Sequence, residues 1–332
     1  MALFNYKNVE IYYEFAGNVK DPCIVFINGL TQQVQHWAYY KDYFKNRGCS
    51  VLLFDLMGQG SSVKPTLFID FQDNQNVLAG LLDKLTIDKA YIAGISFGGV
   101  VVLRFGIEYP EKVKGLIPMS TFSEMDAQLQ FIGNNLYEGM VGIGFEYLVK
   151  QFVPFNFSAN WIGNNADKLP IAIRESFNNN DLYGIQNMME SLARFQGFTH
   201  ELKQIKAPTL IMNGEFDYLT DREAHEILRK EIPNSRLLLM QKVCHAFTLE
   251  IPDIVCRLIE DFVLTVEKGE WKAKQDVMIA ADDVNSKELY FPCQGDHTRL
   301  IPINNIKKPS KANTTGVTQK NSQKSGKTKP EA

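Results

Sequence analysis

The stretch "GISFGG" places Ser96 between Gly94 and Gly98, after an apolar run typical of a buried strand and before a run typical of a helix. A serine on such a strand-to-helix corner takes a strained conformation that exposes its hydroxyl group. The two glycines are expected because larger side chains would collide across so tight a turn. A helix beginning at Phe97 would direct its N–H groups and positive dipole end at the same point, which favours a negative oxygen there. We predict that Ser96 is a nucleophile; the alternative is a glycine-rich turn that holds an unreactive serine.

A serine hydroxyl is a weak nucleophile until a base accepts its proton and a third group orients that base. The chain has five histidines. Four of them suit such a base poorly. His36 stands at a predicted helix start and His200 at the exit from the central segment. His225 lies in a charged helix and His297 in the C-terminal part. His245 follows the apolar run "RLLLMQ", on a loop at the carboxyl end of a predicted strand. We predict His245 as the base.

The orienting acid is expected in "PTLIMNGEFDYLT", just past the preceding strand. Asp217 lies beyond a glycine-containing turn, from which a carboxylate reaches the neighbouring loop best, so we predict Asp217 as the acid. Glu215 is a close rival two residues away, and Asp221 is a weaker one that we expect to cap the next helix. The alternative for Asp217 is a solvated loop carboxylate.

Attack on a carbonyl also requires N–H groups that bind the negative oxygen as it forms. The N–H of Phe97, directly after the predicted nucleophile, is one expected donor. The turn after the strand in "CIVFINGL" supplies the second, for which we predict the N–H of Leu30. Loss of one such donor typically slows a reaction by on the order of 100- to 1,000-fold.

These residues need a fold that brings distant loops to one edge. Short continuous apolar runs suit strands buried on both faces of a parallel sheet, and they occur at 23–28, 50–55, 90–95, 115–120, 208–213 and 236–241. Helix-period segments alternate with them at 36–47, 72–85, 97–109, 221–231 and 252–267. Residues 9–16 alternate like an antiparallel edge strand. The pattern predicts an α/β fold with a mostly parallel, doubly wound sheet, in which ligands bind at the carboxyl ends of the strands.

The alternation divides the chain into parts. We predict an α/β core in two portions, residues 1–121 and 205–268, separated by an aromatic-rich helical lid at 122–204. A second small domain or core filling is the alternative for that insertion. Residues 269–305 form an extension of unknown fold, whose apolar clusters suggest short strands or a docking flap. Residues 306–332 are expected to form a disordered basic tail.

Composition limits the class of protein. The 332 residues are 45% hydrophobic and 22% charged, with net charge −3, the balance of a globular protein. The sequence shows neither a membrane-spanning run nor a signal peptide, so we expect a cytoplasmic enzyme. The tail has seven lysines and one glutamate; it is either solvated or a weak contact for anionic surfaces, and we expect no nucleic-acid partner. The five cysteines form no CxxC pair, and nucleotide and zinc-protease motifs are absent, so we expect no metal and no cofactor.

Several motifs together resemble the α/β-hydrolase superfamily. "GISFGG" is similar to its nucleophile elbow, "NGEFD" to its acid loop, "CHAFTLEIP" to its histidine loop and "FDLMGQGSS" to its D-x-R-G-x-G-x-S turn. The resemblance covers roughly residues 5–265. It implies the α/β-hydrolase fold, Ser96, Asp217 and His245 as a catalytic triad, and the N–H groups of Leu30 and Phe97 as the oxyanion hole.

The chain departs from the usual superfamily pattern at three positions. Met57 stands where arginine is usual, the oxyanion turn begins Asn28-Gly29 instead of His-Gly, and Cys244 precedes His245 where glycine is common. The Asn-Gly version resembles the branch of acyltransferases that make rhamnolipid precursors or move 3-hydroxyacyl chains between acyl carrier protein and coenzyme A. This branch would make an acyl carrier protein or a coenzyme A thioester a partner.

Three functions remain open at this point. The first is a serine hydrolase that cleaves a small-molecule ester or thioester with an acyl chain through an acyl-enzyme. The second is an acyltransferase that moves a (3-hydroxy)acyl group from a thioester carrier to a hydroxyl or thiol. The third is a ligand-binding protein with a vestigial triad.

Overall fold

The computed structural model describes residues 2–64, 71–274, 276–281 and 298–302. The predicted disordered tail, 306–332, lies outside the described residues, as does much of the predicted extension. Within the described part of the chain, no helix combines the length and the apolar character needed to cross a membrane.

A single sheet of ten described strands forms the centre of the fold. Its strands, in chain order, are β1 (Ala2–Tyr6), β2 (Val9–Ala16), β3 (Cys23–Ile27), β4 (Ser50–Phe54), β5 (Ala90–Ile95), β6 (Val113–Met119), β7 (Thr209–Gly214), β8 (Ser235–Met240), β9 (Val277–Ala281) and β10 (Thr298–Pro302). They are ordered β1-β2-β4-β3-β5-β6-β7-β8-β9-β10 across the sheet. β2 runs antiparallel to β1 and β4, and the pairs from β4 to β10 are parallel. The predicted mostly parallel, doubly wound sheet is therefore confirmed.

The six continuous apolar runs all form strands, because helices cover both faces of the sheet. Every residue of β3, β4, β5 and β7 is buried. Successive residues of β3 face opposite layers: Val25 packs in one hydrophobic cluster and Phe26 in the other. This two-sided burial explains why these strands read as apolar throughout instead of alternating.

The antiparallel direction predicted for residues 9–16 is correct, but their place at the edge is wrong. β1, which the sequence did not indicate, pairs outside β2 and takes the edge position. Three of its five residues are exposed and two are half-buried. Because no residue of β1 is fully buried, its sequence lacks the apolar pattern that marks the other strands. β1 exists because β2 offers it a hydrogen-bonding edge.

Eleven α-helices lie within the described residues, and the five predicted ones form as expected. In chain order they are α1 (Ala38–Lys45), α2 (Phe71–Lys84), α3 (Phe97–Glu108), α4 (Ala127–Gly142), α5 (Phe145–Asn156), α6 (Ala159–Asn164), α7 (Leu169–Asn179), α8 (Leu182–Ala193), α9 (Arg222–Glu231), α10 (Phe247–Glu250) and α11 (Pro252–Glu267). Short 3-10 helices occupy Val34–Trp37, Pro110–Lys112 and Thr199–Gln204. Helices α2, α3 and α9 pack on one face of the sheet, and α1 and α11 on the other.

Helices α4 to α8 form a helical insertion between β6 and β7, which we define as residues 122–204. Three of these helices begin at a side chain that accepts a backbone N–H, a capping arrangement that stabilises a helix start. The caps are Asp126 for α4, Ser158 for α6 and Asp181 for α8. The segment is helical, and its action as a lid remains a prediction.

The register of the parallel strands brings their carboxyl ends to one edge. Ile27 pairs with Gly94, Ile95 pairs with Met119, and Gly214 pairs with Met240. The loops that begin after β3, β5, β7 and β8 therefore start side by side. Those loops contain Leu30, Ser96, Asp217 and His245, and Phe97 is the first residue of α3.

Candidate active site

Ser96 occupies a strained corner between β5 and α3. Its backbone has φ 55° and ψ −119°, a conformation that costs a non-glycine residue on the order of 1–3 kcal/mol. Neighbouring strands hold it there: the Ser96 N–H donates to the Met119 carbonyl at 2.9 Å, and Thr121 Oγ1 donates to the Ser96 carbonyl at 2.8 Å. These contacts hold the Ser96 backbone at the carboxyl end of β5, where the residue lines the cavity described below.

Glycine is required on both sides of this corner. A Cβ atom on Gly94 would lie 2.6 Å from the Gly98 carbonyl oxygen. A Cβ atom on Gly98 would lie 2.6 Å from the carbonyl oxygens of Ile27 and Asn28 at the end of β3. The first contact is across the turn, as the sequence predicted, and the second is with the next strand. The close approach of α3 to β3 therefore depends on the second glycine.

Asp217 and His245 form a buried pair. His245 Nδ1 lies 3.1 Å from Asp217 Oδ1 and 3.0 Å from Oδ2. Burial would raise the pKa of Asp217, but the charge of His245 and hydrogen bonds from His245 and Thr220 outweigh burial, so the pKa lies below its usual value. Asp217 is therefore a carboxylate at neutral pH and can accept a hydrogen bond from Nδ1–H.

The loop around Asp217 holds its carboxylate in place. Oδ1 accepts from the N–H groups of Leu219 at 3.0 Å and Thr220 at 2.9 Å, and Oδ2 accepts from Thr220 Oγ1 at 2.9 Å. Thr220 Oγ1 also lies 3.3 Å from His245 Nδ1. Sequence reasoning missed Thr220. The Asp217 side chain accepts from the N–H two residues on, which is an Asx turn, and this turn brings Thr220 onto the carboxylate.

The two alternative acids, Glu215 and Asp221, accept hydrogen bonds from other backbone N–H groups. Glu215 Oε2 accepts from the Lys242 N–H at 3.0 Å, outside the site. Asp221 accepts from the Ala224 N–H at 3.1 Å and caps α9, as expected. In this geometry Asp217 is the acid paired with His245.

Ser96 and His245 line the same cavity, which has a volume of about 930 Å³. Because Nδ1 faces Asp217, the other ring nitrogen of His245, Nε2, lies on the opposite side of the imidazole. Among the described residues, no hydrogen bond joins Ser96 Oγ to His245; catalytic contacts of this kind often tighten only when substrate binds. The cavity is lined mainly by apolar side chains, and each helix of the insertion contributes, as with Leu129, Phe152, Trp161, Ile173 and Met189.

The turn after β3 presents Leu30 to this cavity. We call residues 28–33 the Asn-Gly turn. The Gly29 carbonyl accepts from Gln59 Nε2 at 2.7 Å and from the Gln32 N–H at 3.1 Å. Since C=O and N–H point in opposite directions across a trans peptide, the Leu30 N–H points away from Gln59. Leu30 and Phe97, the predicted donors, both line the cavity with Ser96.

Buried hydrogen bonds of Asn28, Asp55 and Trp37 hold the Asn-Gly turn in place. Asn28 Nδ2 donates to Asp55 Oδ1 at 3.2 Å, and Asn28 Oδ1 accepts from Trp37 Nε1 at 3.0 Å. Asp55 also accepts from the Val34 N–H at 2.9 Å. Sequence reasoning missed these roles and that of Gln59, although "FDLMGQGSS", which contains Asp55 and Gln59, was the signal. Asn28 uses both ends of its amide, so the departure from His-Gly has a structural reason.

A further departure from the family pattern, Cys244, places a thiol directly before His245. The Cys244 side chain is buried, and burial raises the pKa of the thiol to about 12. The thiol therefore stays protonated at neutral pH and is a poor nucleophile.

Of the other histidines, His225 is buried near the pair but has a different setting. Its Nε2 accepts from the Thr121 N–H at 3.0 Å, and its Nδ1 donates to the Asp221 carbonyl at 2.7 Å. Burial lowers the pKa of His225 below its usual value, so the ring is neutral and links α9 to the end of β6. Within the part of the chain that the structure describes, no group of three or more His, Cys, Asp or Glu side chains is arranged to hold a metal ion.

Comparison with known proteins assigns the family. The sequence profile of the alpha/beta hydrolase fold family matches residues 22–252. A Pseudomonas putida protein named 2-hydroxy-6-oxononadienedioate/2-hydroxy-6-oxononatrienedioate hydrolase 1 is 26% identical over 269 residues, which is 77% of this chain and 92% of that protein. A Legionella pneumophila pimeloyl-[acyl-carrier protein] methyl ester esterase is 26% identical over 250 residues, covering 72% of this chain and 94% of that protein.

Solved structures agree with the fold. The crystal structure of the enol-lactonase from Burkholderia xenovorans LB400 aligns with TM-score 0.73 and 21% identity, covering 79% of this chain and all of that one. The parallel sheet, the strained serine corner and the sequence match lead to one assignment. The chain is an enzyme that belongs to the alpha/beta hydrolase fold family.

Proposed function

We propose that this protein is a serine hydrolase that cleaves esters or thioesters carrying an apolar acyl group. The observation that carries the proposal is that a strained serine and a carboxylate-paired imidazole line one apolar cavity. The names of the Pseudomonas and Legionella relatives, a hydrolase and an esterase, support bond cleavage by water.

The residues would act in a fixed order. Ser96 Oγ attacks the carbonyl carbon while His245 Nε2 accepts its proton, and Asp217 stabilises the resulting imidazolium through Nδ1–H. The N–H groups of Leu30 and Phe97 bind the oxyanion. His245 then gives the proton to the departing alcohol or thiol, which leaves an acyl group on Ser96. Water repeats the sequence and releases the free acid.

The cavity suggests the substrate class. At about 930 Å³ it is at the upper end of the range for small-molecule sites, and its wall is mainly apolar. Each CH₂ group buried there contributes about 0.8 kcal/mol, or a factor of about 4 in binding. An acyl chain would gain from this wall, whereas a sugar or a phosphate would lose hydration.

Acyl transfer is the second candidate, because helices of the insertion line the cavity and a lid that excludes water would protect an acyl-enzyme from hydrolysis. The name of the Legionella relative includes an acyl-carrier protein, which makes a carrier-bound thioester a reasonable donor to test. The resemblance to the enzymes that make rhamnolipid precursors predicts a 3-hydroxyacyl thioester as the donor, and this stays a prediction.

A panel of p-nitrophenyl esters and acyl thioesters of increasing chain length tests the proposal, with and without hydroxyl and thiol acceptors. We expect kcat/KM to rise by up to about 4-fold per CH₂ group until the cavity is full, and we expect Ser96→Ala to abolish turnover. Mass spectrometry of the products separates the candidates: free acid alone supports hydrolysis, and acylated acceptor supports transfer. A folded protein that turns over no member of the panel, with activity no higher than Ser96→Ala, would favour the ligand-binding alternative.

A further inference from the structure

The helical insertion is hydrogen-bonded to the loop that carries His245. We define residues 241–246, between β8 and α10, as the histidine loop. Its last two N–H groups donate into the end of α5: His245 N–H to the Phe155 carbonyl at 3.4 Å and Ala246 N–H to the Asn156 carbonyl at 2.9 Å. The last carbonyls of a helix have no partner within the helix, so α5 and the histidine loop complete each other's hydrogen bonds.

The partly buried carboxylate of Glu250 extends this contact. Glu250 Oε1 accepts from the Cys244 N–H at 2.8 Å and from the Ser158 N–H at 3.2 Å. Glu250 Oε2 accepts from Ser158 Oγ at 2.5 Å. A single side chain therefore joins the start of α6, in the insertion, to the N–H of Cys244, the residue before His245.

Ser158 has two separable roles. Its side chain is buried, and Oγ accepts from the Trp161 N–H at 3.2 Å, which caps α6. The same oxygen donates its proton to Glu250. Burial raises the pKa of Glu250, and hydrogen bonds from Ser158 and Cys244 oppose that shift. Ser158 is thus one of the groups that stabilise a partly buried carboxylate beside the histidine loop.

The position of His245 is sensitive to this link. The turn at Leu219 and Thr220 fixes the carboxylate of Asp217. The imidazole of His245 must therefore reach a fixed carboxylate with Nδ1 while Nε2 faces Ser96 in the cavity. The backbone of the histidine loop sets both distances, and a misplacement of about 1 Å in a catalytic group can lower a rate by on the order of 100-fold. The insertion is hydrogen-bonded to this backbone directly at His245 and Ala246 and, through Glu250, at Cys244.

We propose that Ser158 is a positioning residue for His245, acting through Glu250, so that the helical insertion is part of the apparatus that holds the base. The inference rests on the proposed function, in which His245 accepts the proton of Ser96. It assigns the insertion a role in the chemical step in addition to binding the acyl group.

The test uses Ser158→Gly. Glycine is tolerated at a helix N-cap with little loss of stability, and it keeps the N–H that donates to Glu250, so the variant removes mainly the hydroxyl contact. Asp126→Gly is the matched control, because Asp126 caps α4 of the same insertion through the Leu129 N–H at 2.7 Å and is exposed. Ser158→Thr, which keeps a hydroxyl for both roles, is the rescue.

We expect Ser158→Gly to lower kcat for a short-chain ester by about 10- to 100-fold with KM changed less than about 3-fold. Labelling of Ser96 by a fluorophosphonate should slow in parallel, Asp126→Gly should keep kcat within about 2-fold, and Ser158→Thr should recover most of the loss. Thermal melting of all variants confirms that the assay temperature is well below unfolding. A purely structural role would lower the melting temperature in both glycine variants and leave kcat unchanged.

Two results would overturn the inference, and they are distinguishable. If the wild-type protein labels and turns over ester but Ser158→Gly keeps kcat within about 3-fold, the positioning role is wrong and the proposed function stands. If the wild-type protein neither labels at Ser96 nor hydrolyses any ester, the proposed function fails and this inference fails with it.

Discussion

Replacing Asp217 with asparagine should inactivate the enzyme without unfolding it, because the structure dictates which way the new amide turns. Oδ1 of Asp217 accepts two backbone N–H groups, at 3.0 and 2.9 Å. Asparagine keeps both bonds only if its oxygen takes that position. Its NH₂ group then stands where Oδ2 was, 3.0 Å from His245 Nδ1.

That orientation favours the wrong form of the histidine, because Nδ1–H would face the NH₂ group at 3.0 Å and keep only the contact to the oxygen at 3.1 Å, which already accepts two N–H groups. An unprotonated Nδ1 instead accepts from the NH₂ group, so the proton shifts toward Nε2, and Nε2–H cannot accept the proton of Ser96. The opposite amide orientation would place NH₂ against two N–H donors and lose two hydrogen bonds, each contributing about 0.5–1.5 kcal/mol. We expect kcat to fall by about 10,000-fold, which corresponds to about 5.5 kcal/mol of transition-state stabilisation.

The assay is steady-state hydrolysis of a p-nitrophenyl ester by Asp217→Asn, with thermal melting to confirm the fold. Glu215→Gln is the matched control, since Glu215 accepts from the Lys242 N–H, whereas the carboxylate beside the imidazole is that of Asp217; its kcat should stay within about 3-fold of wild type. Retention of more than about a tenth of wild-type kcat by Asp217→Asn would refute the tautomer argument. A large loss in Glu215→Gln instead would show that the acid is misassigned.

Two further predictions concern residues around the site. Gln59→Leu removes the hydrogen bond that orients the Gly29 carbonyl, so kcat should fall by about 10-fold with KM little changed. This loss is smaller than the roughly 100-fold or more expected for a lost oxyanion donor. An unchanged kcat would mean that Gln59 does not orient the Leu30 N–H. Because burial lowers the pKa of His225, its contribution to stability is present above its unfolded pKa of about 6.5 and is lost as pH falls through the lower folded value. Denaturant unfolding of His225→Gln should therefore show a pH slope shallower than wild type by up to about 1.4 kcal/mol per pH unit below pH 6.5, and equal slopes would contradict a neutral buried ring.

The strands that position the site could be predicted because burial on both faces leaves an unbroken apolar signature. β3, β5 and β7 begin or end within one or two residues of the predicted runs, and the helix starting at Phe97 begins where expected. Helix starts and ends were also predictable from neighbouring residues: Asp221 caps α9, and α3 ends just before Pro110. Local chemistry was enough for these elements.

The remaining features depend on contacts between residues far apart in sequence. β1 is mostly exposed and is a strand only because β2 pairs with it. Gln59 acts on Gly29 across 30 positions of sequence, and Glu250 acts on Ser158 across 92. No periodicity or spacing rule specifies such pairs, so the sequence indicated the proposed reacting groups but not the groups that hold them.

The most direct test of the central claim is site mapping of a fluorophosphonate adduct on the intact protein. A fluorophosphonate reacts with a serine whose proton is accepted by a neighbouring base. We predict one adduct on the peptide that contains Ser96, absent in Ser96→Ala and strongly slowed in His245→Ala. A folded wild-type protein that forms no adduct, or forms it on a different residue, would contradict the proposal that these loops assemble a serine nucleophile and its base.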